Sequence, residues 1–144
     1  MKKNDLDLYV VGVIVIIPNA KGEILVGQRL GENQTYWGMN EVPSGKLEYR
    51  DVSLKKAAER EVLEETNLTV ELVEQPIFIK HYPHSSSKNP YGLLAVTYLA
   101  TKIHGTLITL GSFNLTYKAP EETLKLKMSQ WTADAIKAYL KLLN

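Results

Sequence analysis

The chain contains no cysteine. Disulfide bonds and thiolate metal sites are therefore excluded, and a cytoplasmic location is the natural expectation. It also lacks a long apolar run: Val10 to Ile17 is the longest, contains Gly12, and is too short to span a bilayer. Met1 to Asp7 is short and polar, and no signal-type apolar stretch with a small-residue cleavage site follows it. Excess charge is missing too. A formal net charge of +1 gives the molecule no strong field with which to attract nucleic acid. Neither a membrane nor a stable nucleic-acid partner is expected, and a substrate carrying several negative charges would need a local site, such as a metal.

What is present suits one soluble globular domain spanning residues 1–144. A chain of 144 residues is long enough to bury a core without covalent staples, and 44% hydrophobic with 23% charged residues is ordinary for this class.

The β-branched run Tyr9 to Ile17, ending at Pro18, predicts a central strand. Asn19-Ala20-Lys21-Gly22 supplies turn residues, and Glu23 to Arg29 reads as the returning strand of a hairpin. Gly31 to Thr35 is a polar loop, Tyr36 to Pro43 a short mixed segment with Trp37, Met39 and Val42 as core candidates, and Pro43-Ser44-Gly45 a loop. Ser53 to Thr66 is the best helix: Leu54, Ala58 and Val62 recur at four-residue spacing, Ser53 is a suitable N-cap, and Asn67 stands where a left-handed residue is often needed. Thr69 to Tyr82 predicts strand broken near Pro76, Pro83 to Pro90 a loop, Tyr91 to Ile103 a strand, and Thr106 to Tyr117 extended chain with Gly111 as a bend. Glu121 to Lys127 predicts a short helix. Thr132 to Leu143 predicts an amphipathic one whose apolar side carries Ala135, Ile136, Tyr139, Leu140 and Leu143. The order is α+β, a mixed α/β/α pattern around one sheet.

The most informative stretch is Arg60-Glu61-Val62-Leu63-Glu64-Glu65-Thr66. On a helix, Glu61, Glu64 and Glu65 are related as i, i+3 and i+4 and share a face. Their mutual repulsion costs roughly 0.2–0.5 kcal/mol per pair, and they lie near the helix C-terminus, where the macrodipole disfavours negative charge. A hard cation such as Mg2+ or Mn2+, which seeks oxygen ligands, would reverse both penalties. Taken alone, the same face is also compatible with a solvated acidic surface on which Arg60 pairs with Glu64.

The wider segment from Gly45 to Leu68 resembles the Nudix box, a pattern of Gly-x5-Glu-x7-Arg-Glu-aliphatic-x-Glu-Glu-x-Gly-aliphatic. Gly45, Arg60, Glu61, Val62, Glu64, Glu65 and Leu68 match it. The span from Gly45 to Arg60 is one residue longer than the pattern, Asp51 or Val52 stands in place of the loop glutamate, Ser44-Gly45 replaces the common Gly-Gly pair, and Asn67 replaces the closing glycine. The roles of Asp51 and Arg50 stay open. The order of hairpin, box, strands and terminal helix is also similar to the Nudix α/β/α sandwich with a mixed sheet.

The resemblance implies a MutT-like hydrolase that uses Mg2+ or Mn2+ to cut the pyrophosphate bond of a nucleoside diphosphate linked to another group, either a nucleoside triphosphate or a nucleotide-sugar type of molecule. Glu61, Glu64 and Glu65 are the implied metal ligands, with the backbone carbonyl near Gly45. Arg60 is implied to hold one of these glutamates by a charge-assisted hydrogen bond. Arg29, at the end of the second strand, and Lys46 are candidate substrate contacts. Glu48 either reaches metal through water or orders the loop. His81 and His84 are candidate bases or phosphate contacts, though loop histidines are commonly plain surface residues, and Tyr36 and Trp37 could stack on a base. For the general base, Glu121, Glu122, a box glutamate and metal-activated water all stand. A homodimer is common in families of this kind. The competing reading is a Nudix-like module that binds a nucleotide or a protein without turnover, and the presence of all three box glutamates favours the enzyme. RNA decapping would require a basic channel, for which the near-neutral charge gives no support.

Overall fold

The computed structural model describes residues 8–31, 38–83, 91–109 and 113–144. Eight strands and three helices follow in the order β1 (Tyr9–Ile16), β2 (Ile24–Arg29), β3 (Asn40–Glu41), β4 (Ser44–Lys46), α1 (Leu54–Thr66), β5 (Thr69–Leu72), β6 (Phe78–Tyr82), β7 (Gly92–His104), β8 (Phe113–Lys118), α2 (Pro120–Thr123) and α3 (Gln130–Leu142). Tyr36, Trp37, His84 and Gly111, singled out in the sequence, lie outside the described residues.

β1 is the central strand the sequence predicts, and its surroundings follow from its composition. Val13, Val15 and Ile17 face one way and pack with Ala57, Ala58 and Val62 of α1. Ile14 and Ile16 face the other way and pack with Ala135, Ile136 and Tyr139 of α3. A strand apolar on both faces needs cover on both faces, and the result is an α/β/α sandwich. Each fully buried Val or Ile contributes about 1.5–3 kcal/mol; Val13, Val15, Ile16, Ile17 and Val62 are all 0% exposed.

β1 runs parallel to β7 and antiparallel to β4, so the sheet is mixed. Long β7 also pairs antiparallel with β6 and β5, which completes a five-stranded sheet. Two expectations are corrected here. Ser44–Lys46 is strand β4, not loop: Val13 pairs with Gly45, and the free edge of β1 thereby finds its partner. The hairpin is corrected as well. Asn19 Oδ1 accepts from the Lys21 and Glu23 amides, Gly22 takes φ 78°, and Pro18 bridges to Ile24, but beyond this turn β2 leaves β1. Both edges of β1 are already taken by β4 and β7, so β2 joins β3 and β8 in a second, three-stranded antiparallel sheet. The expectation of one sheet therefore gives way to two.

Helix α1 starts and stops where local chemistry dictates. Ser53 caps it by accepting from the Lys56 amide at 3.0 Å, and Asn67 ends it with φ 65°. The break near Pro76 separates β5 from β6 as expected. Towards the C-terminus, residues 106–109 of the extended segment are not strand and Phe113–Lys118 is, the short helix is confined to Pro120–Thr123, and α3 begins two residues early behind the Ser129 cap. Leu143 follows α3 and is exposed, not part of its buried face. Among the described residues, no helix is long and apolar enough to cross a membrane.

Candidate active site

The C-terminal half of α1 packs against β4, and this contact builds the site. Gly45 supplies the space: a Cβ at this position would overlap the Glu61 carboxylate, so only glycine lets the Glu61 side chain lie against the β4 backbone. The Ser44 backbone lies close enough to the Glu65 carboxylate to favour its ionised form. Two of the three box glutamates thus reach the same short strand from one turn of helix.

Arg60 organises the acidic side chains around it. Its Nη1 donates to Glu61 at 2.9 Å and Glu64 at 3.2 Å. Its Nε and Nη2 grip Asp51 at 2.8 and 2.9 Å, and Nη2 also donates to the Lys46 carbonyl at 3.0 Å. The expected charge-assisted contact from Arg60 to a box glutamate is present, made to two of them. The fork on Asp51, which is the strong bidentate geometry of a guanidinium on a carboxylate, settles what the sequence left open: Asp51 anchors Arg60. The hydrogen bonds from Arg60 and from the Glu48 amide hold the Asp51 carboxyl down at about 2. The acidic surroundings raise Arg60 further, so it stays charged.

Glu65 sits differently. Burial, with repulsion from Glu41 and Glu61 behind it, pushes its carboxyl up to about 9. Burial also raises Glu61, against the pull of Arg60. Glu41 on β3 is raised by burial and drawn back by Arg29, which it meets at 3.0 Å. Arg29 lies 4.7 Å from the centre of the Phe113 ring, and its Nε is buried without a partner among the described residues. Sequence reasoning missed Glu41 because its closeness to Arg29 depends on β2 pairing with β3, with Gln28 opposite Asn40 and Gly27 opposite Glu41.

Two hollows open beside these groups. A cleft of about 190 Å³ is lined by Arg29, Asn40, Glu41, Ser44, Gly45, Ser129 and Trp131 among others. A more apolar cavity of about 260 Å³ lies between the start of α3 and the mixed sheet, lined by Val10, Ile14, Leu93, Ala95, Lys46 and the same Ser44, Gly45 and Trp131. Trp131, which stands on the first turn of α3 and meets Tyr82 edge-on, forms a wall common to both. No local pattern marks it, since only the packing of α3 on the sheet brings it to the hollows that Gly45 also lines.

The Nudix domain model matches residues 8–133. The chain belongs to the Nudix family. Members of this family are hydrolases of nucleoside diphosphates linked to another group, and the Nudix box here is the Gly45–Leu68 segment just described. The Nudix fold is also found in solved structures similar to this one. The E. coli ORF135 protein superposes with a TM-score of 0.79 at 23% identity, covering 95% of this chain and 92% of that one. The MutT NUDIX hydrolase from Burkholderia pseudomallei gives 0.74 at 21%, covering 92% and 98%. The NUDIX domain of Shewanella oneidensis NrtR, complexed with ADP ribose, gives 0.73 at 16%, covering 97% and 90%. No curated protein matches the chain by sequence.

Within the Nudix box, Gly45, Arg60, Glu61, Glu64 and Glu65 come together, and Arg29 joins them across the cleft. Lys46 borders the apolar cavity with an exposed side chain. Glu48 is tied to Arg50 at 2.6 Å. The other candidates stand apart: His81 meets the Tyr9 hydroxyl at 3.2 Å, and Glu121 and Glu122 are exposed on the first turn of α2, with Glu122 paired to Lys125 at 3.2 Å.

Among the described residues, no three acidic or histidine side chains converge on one point as a metal cage. The donor set nonetheless suits a hard divalent cation. It offers only oxygen, and Glu61 and Glu65 are drawn out of water with their ionised forms under-compensated. The groove beside glycine brings backbone within reach. Glu61 accepts from Arg60 through one oxygen, which leaves the other for such a cation, and Glu64 would turn from Arg50 while Arg60 keeps its second oxygen.

Proposed function

We propose that this Nudix hydrolase depends on Mg2+ or Mn2+ and acts on a small nucleotide, a nucleoside triphosphate or a nucleoside diphosphate joined to a sugar. The observation that carries the reading is the Glu61 carboxylate lying against Gly45, with half-buried Glu65 one turn further along α1, at the edge of a cleft that Gly45 and Arg29 both line. Glu61, Glu64 and Glu65, with the backbone at Gly45, would hold the cation, which supplies charge neutralisation and an activated water when bound.

The other roles belong to the protein itself. Arg60, fixed by Asp51, orients Glu61 and Glu64. Arg29 and Lys46 lie on the two hollows and receive the negatively charged phosphate oxygens. Trp131 offers its ring to the base, and the apolar floor of Ile14, Leu93 and Ala95 excludes water beneath it. The size of these hollows favours a small substrate over a polymer, in keeping with the near-neutral charge. Cytoplasmic residence and a homodimer complete this reading, the latter tested by sedimentation.

A panel of nucleoside triphosphates and nucleotide-sugars, each incubated with Mg2+, with Mn2+ and with chelator, with products identified by mass, tests the proposal. Metal-dependent release of a nucleoside monophosphate from one class is the expected result. Binding without turnover across the panel would instead favour a recognition module.

A further inference from the structure

The loop between β4 and α1 is one residue longer than the Nudix pattern, and it carries a second arginine in a very different setting from the first. Arg60 is largely buried, with its side chain 15% exposed, and is clamped by Asp51, itself 4% exposed. Arg50 is 63% exposed and, among the described residues, pairs with two half-exposed carboxylates. Its Nε donates to Glu48 at 2.6 Å, and its Nη2 donates to Glu64 at 3.1 Å. The other oxygen of Glu64 accepts from Arg60 at 3.2 Å. Glu64 is therefore shared between a fixed guanidinium and a loose one. The turn that presents Arg50 is itself firm, because the Glu48 amide donates to Asp51 and the Asp51 amide donates to the Glu48 carbonyl.

We propose that Arg50 is a tethered counter-ion that occupies Glu64 in the cation-free protein and must leave it before a divalent cation can use that carboxylate. The proposal rests on the metal-dependent reading above. Exposed ion pairs are weak, so the contact yields to a divalent cation while still opposing it. The guanidinium also suppresses the repulsion that Glu48, Glu61 and Glu64 would otherwise exert on one another, which keeps the acidic loop folded onto α1 until the cation arrives. A longer loop is what allows this, since it lets a cationic side chain fold back over the acidic face.

The test is Mn2+ binding to substrate-free protein, followed by the loss of the free Mn2+ resonance signal at low salt, for wild type, Arg50→Gln, Arg50→Lys and Lys46→Gln. Lys46→Gln removes a positive charge from the same rim and serves as the control for general field. Arg50→Gln should bind Mn2+ about two- to fivefold more tightly than wild type, Arg50→Lys should fall between them, and Lys46→Gln should change little. Equal tightening in Arg50→Gln and Lys46→Gln, or no tightening in Arg50→Gln, overturns the proposal while leaving the metal-dependent reading intact. Absence of Mn2+ binding in every protein overturns both.

Discussion

The Glu61 carboxylate lies directly against the Cα of Gly45, in the space a side chain would fill. This contact joins helix α1 to strand β4 and determines where one of the box carboxylates can point. Gly45→Ala should displace Glu61, because the obstructing group is the far end of a flexible side chain and moves more easily than the backbone. Turnover should fall at least about tenfold, while the melting temperature changes by only a few degrees. Steady-state kinetics beside a thermal melt checks this, and an unaltered kcat would remove the Gly45–Glu61 contact from the site.

Asp51 gives a prediction in acid. Its folded carboxyl is held near 2 against an ordinary value of 3.8. A depressed carboxylate adds stability that is complete above the unfolded value and is lost as pH falls from about 3.8 towards 2. Asp51→Asn should therefore be less stable than wild type at pH 6, and the gap should close as the pH is lowered through that window. Urea unfolding at several pH values measures it. A gap that stays constant with pH would show that Arg60 does not depend on the Asp51 charge.

Glu65 predicts the opposite sign. Its carboxyl is raised from 4.5 to about 9, so the folded state holds its proton more tightly than the unfolded chain does. Stability from this group is present below the unfolded value of 4.5 and declines as pH rises towards 9. In chelator, Glu65→Gln should become progressively more stable than wild type from pH 5 to pH 9, by at least about 1 kcal/mol at the upper end. Identical unfolding curves at both ends of this range would mean that Glu65 is better solvated than its surroundings indicate.

Trp131 is the aromatic wall between the cleft and the apolar cavity. Trp131→Ala should raise KM about tenfold with a smaller change in kcat, and Trp131→Phe should recover much of the loss, since the ring face is what a base would use. Equal kinetics for wild type and Trp131→Ala would place the base elsewhere.

How much of this was legible beforehand depends on the range of the interaction. Helix α1 could be read to the residue, because Ser53, the Leu54-Ala58-Val62 repeat and Asn67 act within a turn or two. That Glu61, Glu64 and Glu65 share a face of α1 was legible from the helix spacing, while the roles expected of them and of Arg60 rested on the resemblance of Gly45 to Leu68 to the Nudix box. The β1–β2 hairpin was misread, because a turn shows that two strands meet but not whether the first has other partners, and β1 takes β4 and β7. Ser44–Lys46 looked like loop because its strand character is conferred by β1 rather than by its own residues. Glu41 and Trp131 stayed invisible as site residues, since each reaches the cleft only through contacts made far along the chain. Asp51 lay in the lengthened loop, where the family pattern offers no register, and the guanidinium fork at 2.8 and 2.9 Å reveals its part.

The central claim is that the α1 carboxylates gather a cation which makes a phosphate bridge cleavable, and the most direct measurement of it is turnover of the preferred nucleotide by wild type and Glu65→Gln, each with saturating Mg2+ and with chelator. Rapid hydrolysis by wild type in Mg2+ alone, with Glu65→Gln folded but at least about a hundredfold slower, is the expected pattern. Hydrolysis by the folded variant at the wild-type rate, or by wild type in chelator as fast as in Mg2+, would contradict it.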